Sequence, residues 1–271
     1  MKWPLLSIIV CGILLSLSFA CEKQAIQPNV PIIGHAGTSL SQERAVFPPN
    51  SEASILYALD VLNADGVEVD VQMTKDCVLV LYHNDFLEDY TDLTGCINST
   101  NFVELQKTTY YRNHRIVPLN NVIQWTVARE KRLHIDMKIN NYCTYQYIDF
   151  SAFNFTLASC IAHLSPSQKE KITINSSHLP SLLAIQDEDV KISFETKDIP
   201  LGIQHKQNHA IDKITTTLAE FSLEKEKLLN QAGVDYCLFG IKTNAEMNEL
   251  KKYKPQEIIT DNIPSTRKKM N

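Results

Sequence analysis

From residue 31 onward, short apolar runs alternate with segments whose apolar residues recur every three or four positions. The runs PIIGHAG (31–37), GVEVDVQMT from residue 66, RLHIDMKI (132–139), KITINS (171–176), KISFETK (191–197), IDKITTTLAE, VDYCLFGIK and EIITD (257–261) predict strands. Between them, SEASILYALDVLNADG (51–66) places Ala53, Leu56, Leu59 and Val61 along one helical stripe, with Ser51 as N-cap and Gly66 as stop. NNVIQWTVAREK (120–131), YIDFSAFNFTLASCIAHL (147–164), LPSLLAIQ, LEKEKLLNQAG and NAEMNELKKYK predict further helices. CVLVLYH is read as a continuation of the second strand after a bend at Lys75–Asp76, which gives eight strands in all.

Continuous apolar strands alternating with helices are the pattern of an α/β protein, its parallel sheet covered by helices. The expectation is a single-domain (β/α)8 TIM barrel over residues 31–271. An open doubly wound sheet is the runner-up, but no GxGxxG follows the first strand. Residues 85–117 form the longest stretch without clear strands; NSTNFVELQK within it reads as a short capped helix, and the whole as an insertion near the barrel mouth.

Polar residues interrupt the strands at telling places. Side chains alternate faces along a strand, so Glu68 and Asp70 share one face while Val67, Val69 and Val71 share the other. Two carboxylates pressed together out of water repel each other, and a cation relieves that repulsion. In LHIDMKI, Asp136 and Lys138 repeat the arrangement, which makes Asp136 a third candidate ligand and Lys138 a partner for an anion. An all-oxygen donor set suits Ca²⁺ or Mg²⁺ rather than zinc. His35 and His83 each end a strand, at the rim where barrel active sites are built, and two imidazoles beside a cation form an acid–base pair. Taken singly, each of these residues has a plainer reading: a satisfied polar side chain, a wet edge strand, a salt bridge. Their joint occurrence at successive strand ends favours chemistry.

The chain has 271 residues, 44% of them hydrophobic, and a formal net charge of −5. No basic block is present, which argues against nucleic acid as a partner. MKWPLLSIIVCGILLSLSFAC reads as a signal peptide over residues 1–20, with Lys2 before a long apolar run and Ser18 and Ala20 before the cut. Cys21 would then be the first mature residue, followed by a short linker (21–30), and Leu17 upstream gives the segment the look of a bacterial lipoprotein signal. The chain is therefore expected to be exported: secreted, periplasmic, or held at a membrane through a lipidated Cys21. An uncleaved anchor helix is the lesser alternative. Of seven cysteines, Cys77, Cys96, Cys143, Cys160 and Cys237 remain; no CxxC pair supports zinc, one disulfide of unassigned pairing is allowed, and Cys77 and Cys237 read as small core residues. Asn98, Asn154 and Asn175 stand in glycosylation sequons.

IIGHAG, PPNS before an amphipathic helix, GVEVDVQMTKDCVLVLYHN, DLTG, IVPLNNVI, LHIDMK and EIITDNIP follow one another as in the glycerophosphodiester phosphodiesterases, and the resemblance runs from about residue 31 to 264. It implies a phospholipase C-like barrel and a divalent cation, Ca²⁺ or Mg²⁺. It also implies His35 and His83 as the acid–base pair, Glu68, Asp70 and Asp136 as metal ligands, and Lys138 beside the phosphate. The implied reaction is hydrolysis of a small glycerophosphodiester to glycerol phosphate and an alcohol. Four positions depart from the family pattern: Ala36 stands where an arginine is usual, Pro49 for a glutamate, Asn84 for an aspartate, and Asp136 for a glutamate. Without the arginine, charge in the transition state falls on the cation, Lys138 and, as a further candidate, Lys197, which shares a strand face with Glu195. These changes imply an altered substrate or a slower enzyme. The competing readings are a related phospholipase acting on lipid headgroups and a catalytically impaired barrel that binds a phosphodiester. A glycosidase ranks last, because Glu68 and Asp70 are too close on one strand.

Overall fold

The computed structural model describes residues 30–41, 45–111, 113–139, 143 and 149–270. The expected leader, the linker up to residue 29 and Cys21 lie outside the described residues. Eight parallel strands close into a barrel: β1 (Ile32–Gly34), β2 (Gly66–Met73), β4 (Arg132–Met137), β5 (Ile172–Ser176), β6 (Lys191–Glu195), β7 (Lys213–Thr217), β8 (Asp235–Ile241) and β9 (Glu257–Thr260). Closure is made by β1, which pairs in parallel with β2 on one side and β9 on the other. The expected (β/α)8 architecture is what the chain adopts.

The residue alternation along β2 decides which groups enter the barrel. Val67, Val69 and Val71 are fully buried against the helical layer, in one core with Ile55, Ile123, Ile135 and Leu157. Glu68 and Asp70 take the opposite, inward face. The register with β4 sets Glu68 beside His134 and Asp70 beside Asp136, and the next pairing sets Asp136 beside Asn175. The barrel interior is consequently polar at both ends. Arg132, Lys213 and Glu257 occupy the end from which the strands start, and the carboxylates occupy the end at which they finish.

CVLVLYH does not continue β2. It turns back as β3 (Leu79–Leu81), antiparallel to β2 with Val71 opposite Leu81. Thr74 drives the reversal: its hydroxyl accepts from the Val78 amide at 2.9 Å and donates to Asp76 at 2.7 Å. Cys77 sits in this turn with a left-handed backbone (φ 60°) and is exposed, so it is not the core residue its apolar neighbours suggested. Cys237 is buried as expected. The helix expected over 51–66 is capped by Ser51 and regular over Glu52–Leu56, then widens to a π-helical turn over Tyr57–Val61. Besides the single turn Pro166–Lys169, two helices, Ile199–Asn208 and Ile263–Met270, have no counterpart in the sequence-based expectation. The first starts on Asp198, whose carboxylate caps the Leu201 amide, and packs so closely at Gly202 that a Cβ there would meet the Ile214 side chain at 2.6 Å.

Leu87, Ile97, Leu105, Tyr110 and Ile116 of the 85–117 excursion pack with Val80 and Tyr82, in and just after β3, into a small separate core. Its expected short helix is Phe102–Leu105, closed by a capping box between Asn101 and Glu104. Cys96 in this excursion forms a disulfide with Cys143, in the loop that follows β4. No helix among the described residues is long and apolar enough to cross a membrane.

Candidate active site

A cavity of about 510 Å³ opens at the C-terminal ends of the strands, and His35, Glu68, Asp70, His83, Asp136 and Lys138 all line it. The six residues named from the sequence are therefore brought to one opening. One oxygen each from Glu68, Asp70 and Asp136 lies within 4.8 Å of the other two. Burial and the neighbouring Asp70 charge push the Glu68 carboxyl up to about 8. Three crowded oxygen donors of this kind fit a hard divalent cation. Burial also works against the Asp70 carboxylate, but Lys138, His83 and Asn50 outweigh it and hold that group below its usual range.

Lys138 reaches both acids of adjacent strands, 3.0 Å from Asp70 Oδ1 and 2.5 Å from Asp136 Oδ2. Burial lowers its affinity for the proton, and the two carboxylates more than reverse that, so the ammonium stays charged. Lys197 is not in the cavity. Its Nζ lies 3.6 Å from Glu220 and is mostly exposed, because the strand ends at Glu195 and the face alternation lapses beyond it. Its strand neighbour Glu195 does line the cavity and accepts from Asn175 Nδ2 at 2.8 Å. Asn175 also donates to Asp136 at 3.1 Å, so the sequon asparagine is an inward-facing positioning group.

The loop after β1 is built under strain. Ala36 and Asn50 both hold left-handed backbone, φ 49° and 57°, which costs roughly 1–3 kcal/mol for a residue other than glycine. The strain places the Ala36 amide 3.0 Å from Glu68 Oε2, and the Asn50 side chain grips Asp70 twice, at its carboxylate (2.7 Å) and its amide (3.1 Å). Gly37 has no alternative: φ is +92°, and a Cβ would meet Ser54 Oγ at 2.5 Å. Where the family arginine is expected, Ala36 is fully buried and its polar contacts are made by its backbone, the amide to Glu68 and the carbonyl to the Ser54 hydroxyl.

Each histidine has an orienting partner. His35 Nδ1 lies 3.1 Å from Asp261 Oδ1, and its Nε2 points toward Glu68 at 3.9 Å. Burial lowers the His35 pKa, but contact with Asp261 and the charges of Glu68 and Asp70 raise it to about 9. His83 Nδ1 lies 2.8 Å from Asn84 Oδ1, and the amide nitrogen of Asn84 donates to Asp89 at 2.7 Å. That second bond fixes the amide orientation, so Oδ1 faces the ring and Nδ1 must carry the proton. The Nε2 lone pair of His83 is then free to accept one.

Asp261, Asn50 and Asn175 were not singled out as site residues from the sequence. Asp261 and Asn50 stand inside the quoted stretches ITDNIP and PPNS, and Asn175 lies in the strand run KITINS two positions after Thr173, on the same inward face. Strand-end position was the signal available for Asn175; the partnership of Asp261 with His35 joins residues 226 positions apart and has no local signature.

The sequence model of the Glycerophosphoryl diester phosphodiesterase family matches residues 44–265. The chain belongs to that family. It is 34% identical over 76 residues to the glycerophosphodiester phosphodiesterase of Caldanaerobacter subterraneus, covering 28% of this chain and 29% of that one. It is 32% identical over 95 residues to human glycerophosphodiester phosphodiesterase 1, covering 34% and 27%. The chain spans less than half the length of the curated relatives it matches. Among solved structures, an Oleispira antarctica phosphodiesterase in complex with the product sn-glycerol-3-phosphate superposes with a TM-score of 0.76 at 18% identity, over 89% of this chain and 96% of that one. A glycerophosphodiester phosphodiesterase of Thermotoga maritima superposes with a TM-score of 0.69 at 17% identity, over 88% and 97%. At these identities the likeness establishes the barrel.

Proposed function

We propose that the chain hydrolyses glycerophosphodiesters to glycerol phosphate and an alcohol. The observation that carries this reading is the meeting of three carboxylates from β2 and β4 with two oriented imidazoles at one mouth. Glu68, Asp70 and Asp136 would hold the cation, Ca²⁺ or Mg²⁺, which when bound neutralises charge on a phosphate oxygen. Lys138 adds a fixed positive charge beside the same acids. His83 accepts the proton of the nucleophile through Nε2. The nucleophile is water, or a neighbouring hydroxyl of the substrate, in which case the first product is a cyclic phosphodiester that water opens to glycerol phosphate in a second step, with the two histidines exchanging roles. The nucleophile's oxygen bonds to phosphorus as the ester bond to the leaving alcohol breaks. His35, held charged by Asp261, returns a proton to the departing alkoxide. A cavity of about 510 Å³ suits a deacylated diester better than an intact lipid.

Export completes the proposal: a leader over residues 1–20, cleavage before Cys21, and lipid on that cysteine. The Cys96–Cys143 disulfide supports an oxidising compartment. The deciding experiment is a panel of glycerophosphodiesters with product analysis, with and without chelator. Release of glycerol phosphate that stops on chelation supports the reading. Headgroup release from intact bilayers in preference to deacylated diesters would favour the phospholipase alternative, and binding without turnover the impaired barrel.

A further inference from the structure

The end of the barrel opposite the mouth carries its own feature. Arg132 opens β4, Lys191 opens β6, and Lys171 directly precedes β5. With Lys131 they border an open cleft of about 860 Å³ at the strand starts. Five cations and three acids line this cleft, in a chain whose net charge is −5. Arg129 is occupied by Asp60 at 2.6 Å, and the acids Asp65, Glu130 and Glu170 offset part of the rest. Arg132 is paired with Glu257 at 3.1 Å, and Glu257 also meets Lys213 and His134 behind the cleft. Lys131, Lys171 and Lys191 border the cleft without a carboxylate partner among the described residues, so the positive charge open to an anion is theirs.

The chain enters the barrel at this cleft. Pro31, just before β1, is one of its lining residues. Cys21 stands ten positions earlier, a reach of at most roughly 35 Å for extended chain. Along β4 the path from Arg132 to Lys138 spans about 20 Å, so floor and mouth lie on opposite ends of the molecule.

We infer that the strand-start end of the barrel is a docking surface for an anionic lipid bilayer, and that docking turns the mouth away from that bilayer. The attraction is electrostatic, since the lining side chains are charged or polar apart from Pro31. An enzyme so oriented meets phosphodiesters in solution rather than lipids of the membrane beneath it. The inference deepens the function proposed above, and its direction rests on the reading of Cys21 as the lipid-bearing residue; the charge of the floor does not.

The test uses the chain from Cys21 onward, without acyl group, because every described element lies in residues 30–270. Co-sedimentation is measured with vesicles of phosphatidylcholine alone and with about one third phosphatidylglycerol. The expected result is binding to the anionic vesicles only, weakening as salt rises. The triple variant Lys131→Glu, Lys171→Glu, Lys191→Glu should bind at least about tenfold more weakly, while Lys197→Glu, on the mouth side, should bind as wild type. Turnover of glycerophosphocholine by both variants, unchanged from wild type, certifies that the barrel is folded. Should the triple variant fold poorly, the salt dependence of wild type and the single variants decide. Equal binding to both vesicle types, or floor variants that bind as wild type, would overturn the inference. An unmodified Cys21 in cells, or absent phosphodiesterase activity, would count against the export or function proposals and leave the vesicle result standing.

Discussion

Asp261, at the end of the last barrel strand, sits 3.1 Å from the Nδ1 of His35, at the end of the first. The carboxylate also accepts from the Leu40 amide at 2.6 Å and the Ser39 hydroxyl at 3.0 Å, so it is held by the loop that carries the histidine. If His35 delivers a proton from its charged form, Asp261 sets the pH range over which it does so. Asp261→Asn should lower kcat about tenfold or more, less than the roughly 10²–10⁴ lost with the acid itself. The alkaline limb of the rate–pH profile should move to lower pH. A kcat loss without that movement would assign Asp261 a merely structural role.

The stability of the site depends on pH. His35 is raised from 6.5 to about 9 and Glu68 from 4.5 to about 8 in the folded chain. Both groups then bind protons more tightly folded than unfolded, so their stabilisation falls as pH rises. The His35 contribution is complete below 6.5 and gone above about 9; that of Glu68 is lost between 4.5 and about 8. A divalent cation replaces the missing positive charge. Calorimetry with and without chelator should show a larger gain in Tm from Ca²⁺ or Mg²⁺ at about pH 8.5 than at about pH 5. A gain independent of pH would argue against the carboxylate cluster as the cation's seat.

Removing a member of that cluster should be severe. Glu68→Gln or Asp136→Asn is expected to reduce kcat at least about a hundredfold. Each should also abolish the cation-induced rise in Tm, a readout independent of turnover. Activity that survives chelation unchanged would sink the metal role.

The Asp89–Asn84–His83 chain makes a sharper test of the base. His83→Ala should cost about 10²–10⁴ in kcat. Asn84→Leu removes the acceptor that orients the ring and should lower kcat about tenfold or more, while Asn84→Asp, which restores the family residue and keeps an acceptor against Nδ1, should retain most of the rate. Equal rates in the two variants would mean that the ring needs no partner at Nδ1.

The Cys96–Cys143 disulfide joins the excursion behind His83 to the loop that follows Asp136 and Lys138, across 47 residues of sequence. Cys143→Ser should lower unfolding stability by about 2–4 kcal/mol. Denaturant titration of the variant beside reduced wild type checks this, and the two should coincide.

Much of this architecture was legible in the chain because period-two alternation and barrel burial act on every strand alike. Glu68 against Val67 and Val69, and Asp136 against Ile135 and Met137, announce their faces without any tertiary information. What stayed hidden depends on a turn or on distant partners. The reversal at Thr74–Cys77 rests on one threonine hydroxyl and a left-handed cysteine, neither of which disturbs the apolar pattern. Lys197 was misplaced because strand alternation was extended past the end of β6. The Ile199–Asn208 helix was missed because its apolar stripe is broken by Gly202, whose purpose is clearance for Ile214.

The backward fold of β3 has a consequence for how members of such a fold diverge. β3 pairs with β2 alone, and a bridge between Val80 and Pro118 brings the two ends of the excursion together. The segment bearing His83 thus lies outside the eight-stranded wall, and its length does not enter the stagger that closes the cylinder. Substrate range can drift through that appendage while the eight-stranded wall keeps its own geometry.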